Sequence, residues 1–300
     1  MKKFSSLVLI SLQVLVTVAV LASTCCAGAQ SQHSGGVTLV DNIIVNEEMC
    51  NASTSQPETV LDISATLPGE SAIEESVAEV ETVIYPFLVV NMNLSSGTTG
   101  SPTRIADAVE SLGYETTIEH YAAVTSEYMD ELLASGIILS GQGSPWDDYP
   151  EEELDQFKNV IRETSLPVLG ICGGHQFLAL TYDGGTVDRI ERLEPGEGYD
   201  GCRREYGYCE VRINTNDAII GDAESSIMVF ESHYDEVKTA PDIFEIVAAN
   251  ELCEVQAMRH SELPIYGVQF HPEIWEESFP DGRGILERFL EFCVDNLNNN

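Results

Sequence analysis

The chain has 300 residues and carries 50 Asp and Glu against 14 Lys and Arg, a formal net charge of -36 at pH 7. That balance argues against nucleic-acid binding, because no basic face is available to neutralise phosphates. It fits a solvated surface in a salty medium, and equally a protein that is merely very soluble.

In chain order, Met1-Lys2-Lys3 forms a positive start and Leu7 to Ala22 an almost uncharged apolar stretch. Ala27-Gly28-Ala29 then offers an A-x-A cleavage site. Residues 1–29 are therefore expected to be a signal peptide or an N-terminal membrane anchor. Cys25 and Cys26 follow a poor lipidation box, Ala22-Ser23-Thr24. The chain is expected to be exported, either secreted or anchored at the outer surface. Residues 30–83 are rich in Ser, Thr and Glu and poor in aromatics. They cannot bury enough apolar surface to offset ordering entropy, so a flexible tether is expected, with a short helix near Ile73 to Val83. Asn51-Ala52-Ser53 and Asn93-Leu94-Ser95 fit the glycosylation sequon, which matters only after export.

Residues 84–298 read as one domain. Tyr85 to Val90 is a buried first strand, and Asn91 to Pro102 a polar Gly/Ser/Thr loop. Thr103 to Leu112 is an amphipathic helix closed by Gly113, followed by a strand at Glu115 to Glu119. Gly136 to Ser140 is a further strand, running into Gly141-Gln142-Gly143-Ser144-Pro145. Pro150 to Thr164 is a helix with Leu154, Phe157, Val160 and Ile161 on one face. Alternating helices and uninterrupted apolar strands predict a parallel sheet covered on both faces. Sites in such sheets form at the carboxyl ends of strands, where Ser140, Cys172 and His271 all fall.

The stretch Gly170-Ile171-Cys172-Gly173-Gly174-His175-Gln176 joins a short apolar strand, Pro167 to Leu169, to a helix continuing through Leu180. A cysteine at such a turn is a nucleophile elbow by the logic of G-x-S-x-G. Its small neighbours permit strained backbone, and the helix start favours thiolate. Downstream, the strand Pro264 to Phe270 runs into His271-Pro272-Glu273, where proline fixes the relation of His271 to Glu273. A thiol needs a base, and the base needs a carboxylate to hold its tautomer. Cys172, His271 and Glu273 supply these in that order.

Without the leader, Cys50, Cys172, Cys202, Cys209, Cys253 and Cys293 remain. With Cys172 free, at most two bridges form, and Cys202 with Cys209 is a candidate pair in an oxidising compartment. No cysteine or histidine pair has ligand spacing, so no metal is expected. There is no P-loop or dinucleotide fingerprint, so the chain cannot itself activate an acceptor with ATP.

GICGGHQ and FHPE resemble the two signatures of class I glutamine amidotransferase domains of the triad type, and the resemblance spans about Tyr85 to Cys293. Within that family, VFESHYDEV and AMRHSELPIYGVQFHPE are most similar to the separate glutaminase subunit of archaeal GMP synthase. The resemblance implies a three-layer, flavodoxin-like α/β fold with an open, mostly parallel sheet, and no cofactor. It implies an oxyanion hole built from the N–H groups of Gly141 and Gly173, which a negative tetrahedral intermediate needs. Gln142 stands where the family often has proline, a departure expected to loosen that loop. Gln176, Ser232 and His233 are implied as glutamine-binding positions, with a structural role for His233 as the alternative. His175 is expected to pack or to face a partner; His33, His120 and His260 carry no constellation.

Three functions follow as expectations. The first is a glutaminase in which Cys172 attacks the side-chain amide of glutamine, ammonia leaves, and water hydrolyses the thioester. In the family the ammonia passes to a synthase partner, which requires a cytoplasmic chain. The second is an exported γ-glutamyl hydrolase acting on peptides or conjugates. The third is a catalytically silent secreted binding module, against which the intact Cys, His and Glu argue. In each enzyme reading the partner is a small-molecule substrate.

Overall fold

The computed structural model describes residues 84–299. The leader, the tether, its short helix, Cys50 and His33 all lie outside the described residues. The elements run β1 (Phe87–Asn91), α1 (Ser101–Ser111), β2 (Thr116–His120), α2 (Ser126–Glu131), β3 (Ile137–Leu139), α3 (Glu151–Glu163), β4 (Val168–Ile171) and α4 (Gly173–Thr181). They continue with β5 (Thr186–Arg189), β6 (Glu205–Ile213), β7 (Ser226–His233), β8 (Asp235–Thr239), β9 (Phe244–Ala249), β10 (Ala257–His260), β11 (Ile265–Val268) and α5 (Asp281–Asn299).

Nine strands form one sheet in the order β2-β1-β3-β4-β11-β10-β9-β6-β7, and β5 pairs with β8 in a separate ribbon. The half from β2 to β11 is parallel. The half from β11 to β7 is antiparallel. The reason lies in the connections. Helices cross over between β1, β2, β3 and β4, whereas β9, β10 and β11 follow one another through short connections that reverse the chain. β1, β3 and β4 are buried along their whole length, as strands covered on both faces must be.

One apolar layer packs Ile105, Ala106 and Val109 of α1 with Ile285, Leu286, Phe289 and Leu290 of α5. The opposite layer packs Leu154, Phe157, Val160 and Ile161 of α3 with Phe177, Leu178 and Ala179 of α4. The sheet lies between them, a flavodoxin-like three-layer arrangement. Each large apolar side chain buried there contributes about 1.5–3 kcal/mol. α3 opens on Glu151, Glu152 and Glu153 and closes near Arg162, charges that complement its dipole.

α1 begins at Ser101, two residues before the expected start, because Pro102 preorganises its first turn. That shift matters, since Ser101 reaches the site. α2 is capped by Thr125, whose Oγ1 accepts the Tyr128 N–H at 3.2 Å. Cys202 and Cys209 are not bridged, and their thiols are free, as are those of Cys172, Cys253 and Cys293. Among the described residues no helix is long and apolar enough to cross a membrane.

Candidate active site

The site is built at the adjoining ends of β3, β4 and β11. Cys172 leaves β4 at φ 52°, ψ -104°, outside the regions that side chains other than glycine favour. Neighbouring strands hold that strain in place. The Cys172 N–H donates to the Val268 carbonyl at 2.8 Å, and the Gly174 N–H to the Ser140 carbonyl at 3.0 Å. The glycines are required by close approach. A Cβ on Gly174 would stand 2.5 Å from the Leu139 carbonyl oxygen, and one on Gly170 would stand 2.6 Å from the Gly174 backbone.

His271 is fixed by its backbone N–H, which donates to the Phe230 carbonyl at 2.8 Å. Its Nδ1–H donates to Glu273 Oε1 at 2.8 Å, which leaves Nε2 as the basic nitrogen of the ring, and the Cys172 sulfur lies near enough to act on the ring's charge. All three side chains are buried. Burial opposes the charged imidazole, but the Glu273 carboxylate and the Cys172 sulfur outweigh it and hold His271 well above its ordinary value. The arrangement favours a thiolate–imidazolium pair, the nucleophilic form of a cysteine.

A cavity of about 200 Å³ opens onto Cys172. Gln176 lines it, but its amide is already satisfied: Oε1 accepts from Trp146 Nε1 at 2.9 Å, and Nε2 donates to the Asp235 carbonyl at 2.8 Å. Ser232 places its carbonyl oxygen 4.0 Å from the Cys172 sulfur, while its hydroxyl accepts from Arg204 Nη2 at 2.7 Å. His233 borders the cavity with its nitrogens turned elsewhere, Nδ1 to the Asp235 carbonyl at 2.9 Å and Nε2 to Glu205 at 3.0 Å. Burial opposes its charge, yet Glu205 and Glu231 push it up to about 10.

The Gly141 N–H donates to Ser101 Oγ at 3.1 Å. Gly173 heads α4, where a backbone N–H has no acceptor within the helix. Gln142 does not loosen its loop. Its Oε1 accepts the Ser144 N–H at 2.6 Å, and a Cβ on Gly173 would meet Gln142 Cγ at 2.4 Å. A side-chain hydrogen bond and tight packing take over the restraint that a proline would have given.

Four residues of the cavity wall escaped the sequence reading: Tyr199, Arg204, Tyr234 and Asp235. Tyr199 OH donates to Asp235 Oδ2 at 2.8 Å, and Arg189 pairs with Asp235 Oδ1 at 3.0 Å. Arg204 lies over the Tyr206 ring at 4.1 Å and the Tyr234 ring at 5.4 Å. Tyr234 and Asp235 directly follow the Ser232-His233 pair, so extending that motif by two residues would have found them. The others lie on loops with no periodic signal. His175 is a packing residue, fully buried, with Nε2 3.0 Å from the Val255 carbonyl. His120 bonds to the Asn93 carbonyl, and His260 accepts from the N–H groups of Glu262 and Leu263, away from Cys172 in each case.

A mixed α/β sheet thus carries a strained cysteine elbow beside a buried His-Glu pair. The family model for glutamine amidotransferase class-I matches residues 100–291, and the chain belongs to that family. A protein of Methanopyrus kandleri named as one of the subunits of glutamine-hydrolyzing GMP synthase is 40% identical over 163 residues, 53% of this chain and 76% of that protein. The protein of the same name from Methanocaldococcus jannaschii is 34% identical over 193 residues, 63% of this chain and 90% of that protein. A crystal structure described as a GMP synthase subunit protein, from Thermoplasma acidophilum, superposes with a TM-score of 0.58 at 31% identity, covering 72% of this chain and 97% of that one. The chain is thus a glutamine amidotransferase of class I, similar to the GMP synthase glutaminase subunit.

Proposed function

We propose that the chain hydrolyses the side-chain amide of glutamine through a thioester on Cys172. The Cys172 thiolate attacks the amide carbon, and the resulting oxyanion is held by the N–H groups of Gly141 and Gly173. The His271 imidazolium protonates the departing nitrogen, so ammonia leaves and the γ-glutamyl thioester remains. Neutral His271 then takes a proton from water, which attacks the thioester and releases glutamate and the thiol. Glu273 keeps the imidazole oriented throughout. The observation carrying this reading is the line from Cys172 through His271 to Glu273 at adjoining strand ends. By likeness to relatives named as subunits of a glutamine-hydrolyzing GMP synthase, the ammonia would pass to a synthase partner.

The leader-like residues 1–29 favour a second reading. Outside the cell no ATP-dependent synthase would take the ammonia, and the same three residues would serve a γ-glutamyl hydrolase. Ammonia release from L-glutamine, compared with amine release from γ-glutamyl peptides, separates the two. Glutamine preferred by at least about tenfold in kcat/KM, some 1.4 kcal/mol of transition-state discrimination, supports the glutaminase; the reverse order overturns it.

A further inference from the structure

The hairpin that ends at the cavity carries a buried cluster that the amide chemistry does not use. β6 and β7 pair with Glu205 opposite His233 and Gly207 opposite Glu231, so Glu205, Glu231 and His233 project from one face of the ribbon. All three are buried, and one ligand-type atom from each lies within 4.8 Å of the others. His233 Nε2 is 3.0 Å from Glu205 Oε2 and 3.3 Å from Glu231 Oε2. His233 Nδ1 faces the Asp235 carbonyl, which can only accept, so Nδ1 carries the hydrogen. The remaining nitrogen therefore points at two carboxylates. Glu231 is 0% exposed, and neither of its oxygens has a hydrogen-bond partner.

Glu231 is left as a fully buried carboxyl group with no hydrogen-bond partner, aimed at the same space as His233 Nε2 and Glu205. A divalent ion with a neutral imidazole would balance the two carboxylates completely. The 3.3 Å between His233 Nε2 and Glu231 Oε2 is a tetrahedral ligand separation, since metal–ligand bonds of about 2.0–2.2 Å place ligands roughly 3.3–3.6 Å apart, and the 3.0 Å to Glu205 reaches it with a small side-chain shift. The surroundings follow the pattern of metal-held side chains, with the second imidazole nitrogen donating to a carbonyl and the carboxylate hydrogen-bonded in turn. Asn250 Nδ2 donates to Glu205 Oε1 at 2.6 Å, and Gln256 Nε2 to Glu205 Oε2 at 3.1 Å. Glu205 and Cys209 also line a surface cleft of about 550 Å³, which gives an ion a path inward.

We propose that Glu205, Glu231 and His233 form a binding site for a divalent transition-metal ion of the zinc class. Its ligands come from two paired strands, so no linear ligand spacing marks it in the sequence. Because His233 borders the cavity at Cys172, an ion there would brace the cavity wall.

The test is calorimetric titration of Zn²⁺ alone into the full chain, in a Cys172→Ala background that removes the thiol of the amide site as a competing ligand. One ion per chain is expected. Glu231→Gln in the same background should weaken binding at least about 100-fold, since loss of an outer-shell partner alone costs 10–100-fold. Glu231→Gln relieves a buried charge and is close in shape, so its fold is expected to survive; its thermal unfolding without metal checks this. No uptake by Cys172→Ala, or equal affinity with and without Glu231, would overturn the proposal.

Discussion

Ser101 Oγ accepts the Gly141 N–H at 3.1 Å, at the very donor assigned to the oxyanion. A Cβ on Gly141 would stand 3.2 Å from that hydroxyl and from His271 Cε1, and 3.5 Å from Cys172 Cβ, so the bond lies at the reacting centre. A substrate oxygen has to displace it. Ser101→Ala removes one hydrogen bond of about 0.5–1.5 kcal/mol from the resting site. kcat/KM for glutamine should therefore rise about 2- to 10-fold. A fall of similar size would mean that the hydroxyl itself donates to the oxyanion.

In the proposed mechanism Glu273 should set the alkaline limit of activity. Its carboxylate helps to hold His271 above the ordinary imidazole value, so the imidazolium that pairs with the nucleophile is lost as pH rises through the His271 titration. Glu273→Gln removes that support, and the alkaline limb of kcat/KM should move to lower pH. Turnover should stay measurable, whereas His271→Ala, which removes general-base help worth about 10²–10⁴-fold, should leave almost none. An unmoved limb in Glu273→Gln would take the orienting role away from Glu273.

His175 links stability to pH in the opposite sense. Burial lowers it from 6.5 to about 3, so between those values the unfolded chain binds a proton that the folded chain refuses. Stability should fall as pH drops below 6.5, by about 1.4 kcal/mol per unit from this residue. Urea unfolding at pH 6.5 and at pH 5.0 should show His175→Gln losing roughly 2 kcal/mol less than the wild type. Equal losses would mean that His175 is protonated in the folded chain.

The parallel half of the fold was legible because its signals are local. β1, β3 and β4 are uninterrupted apolar runs, and the Cys172 turn and the His271-Pro272-Glu273 corner each lie within a few residues. The antiparallel half was not legible. β7 alternates buried with exposed or half-buried residues, but β6 loses the alternation from Gly207 to Cys209, and which strands pair is fixed by tertiary contact. Long-range side-chain contacts were likewise invisible. Trp146 reaches Gln176 and Ser101 reaches Gly141 across 30 and 40 residues of chain. The Cys202–Cys209 pair looked feasible from spacing alone, yet the two thiols are free.

The central assignment is the covalent role of Cys172, and acid-quenched mass spectrometry during glutamine turnover tests it most directly. The predicted result is one added γ-glutamyl group on the peptide containing Cys172, with no adduct and no ammonia from Cys172→Ala. An adduct on another residue, or ammonia released by Cys172→Ala at the wild-type rate, would contradict it.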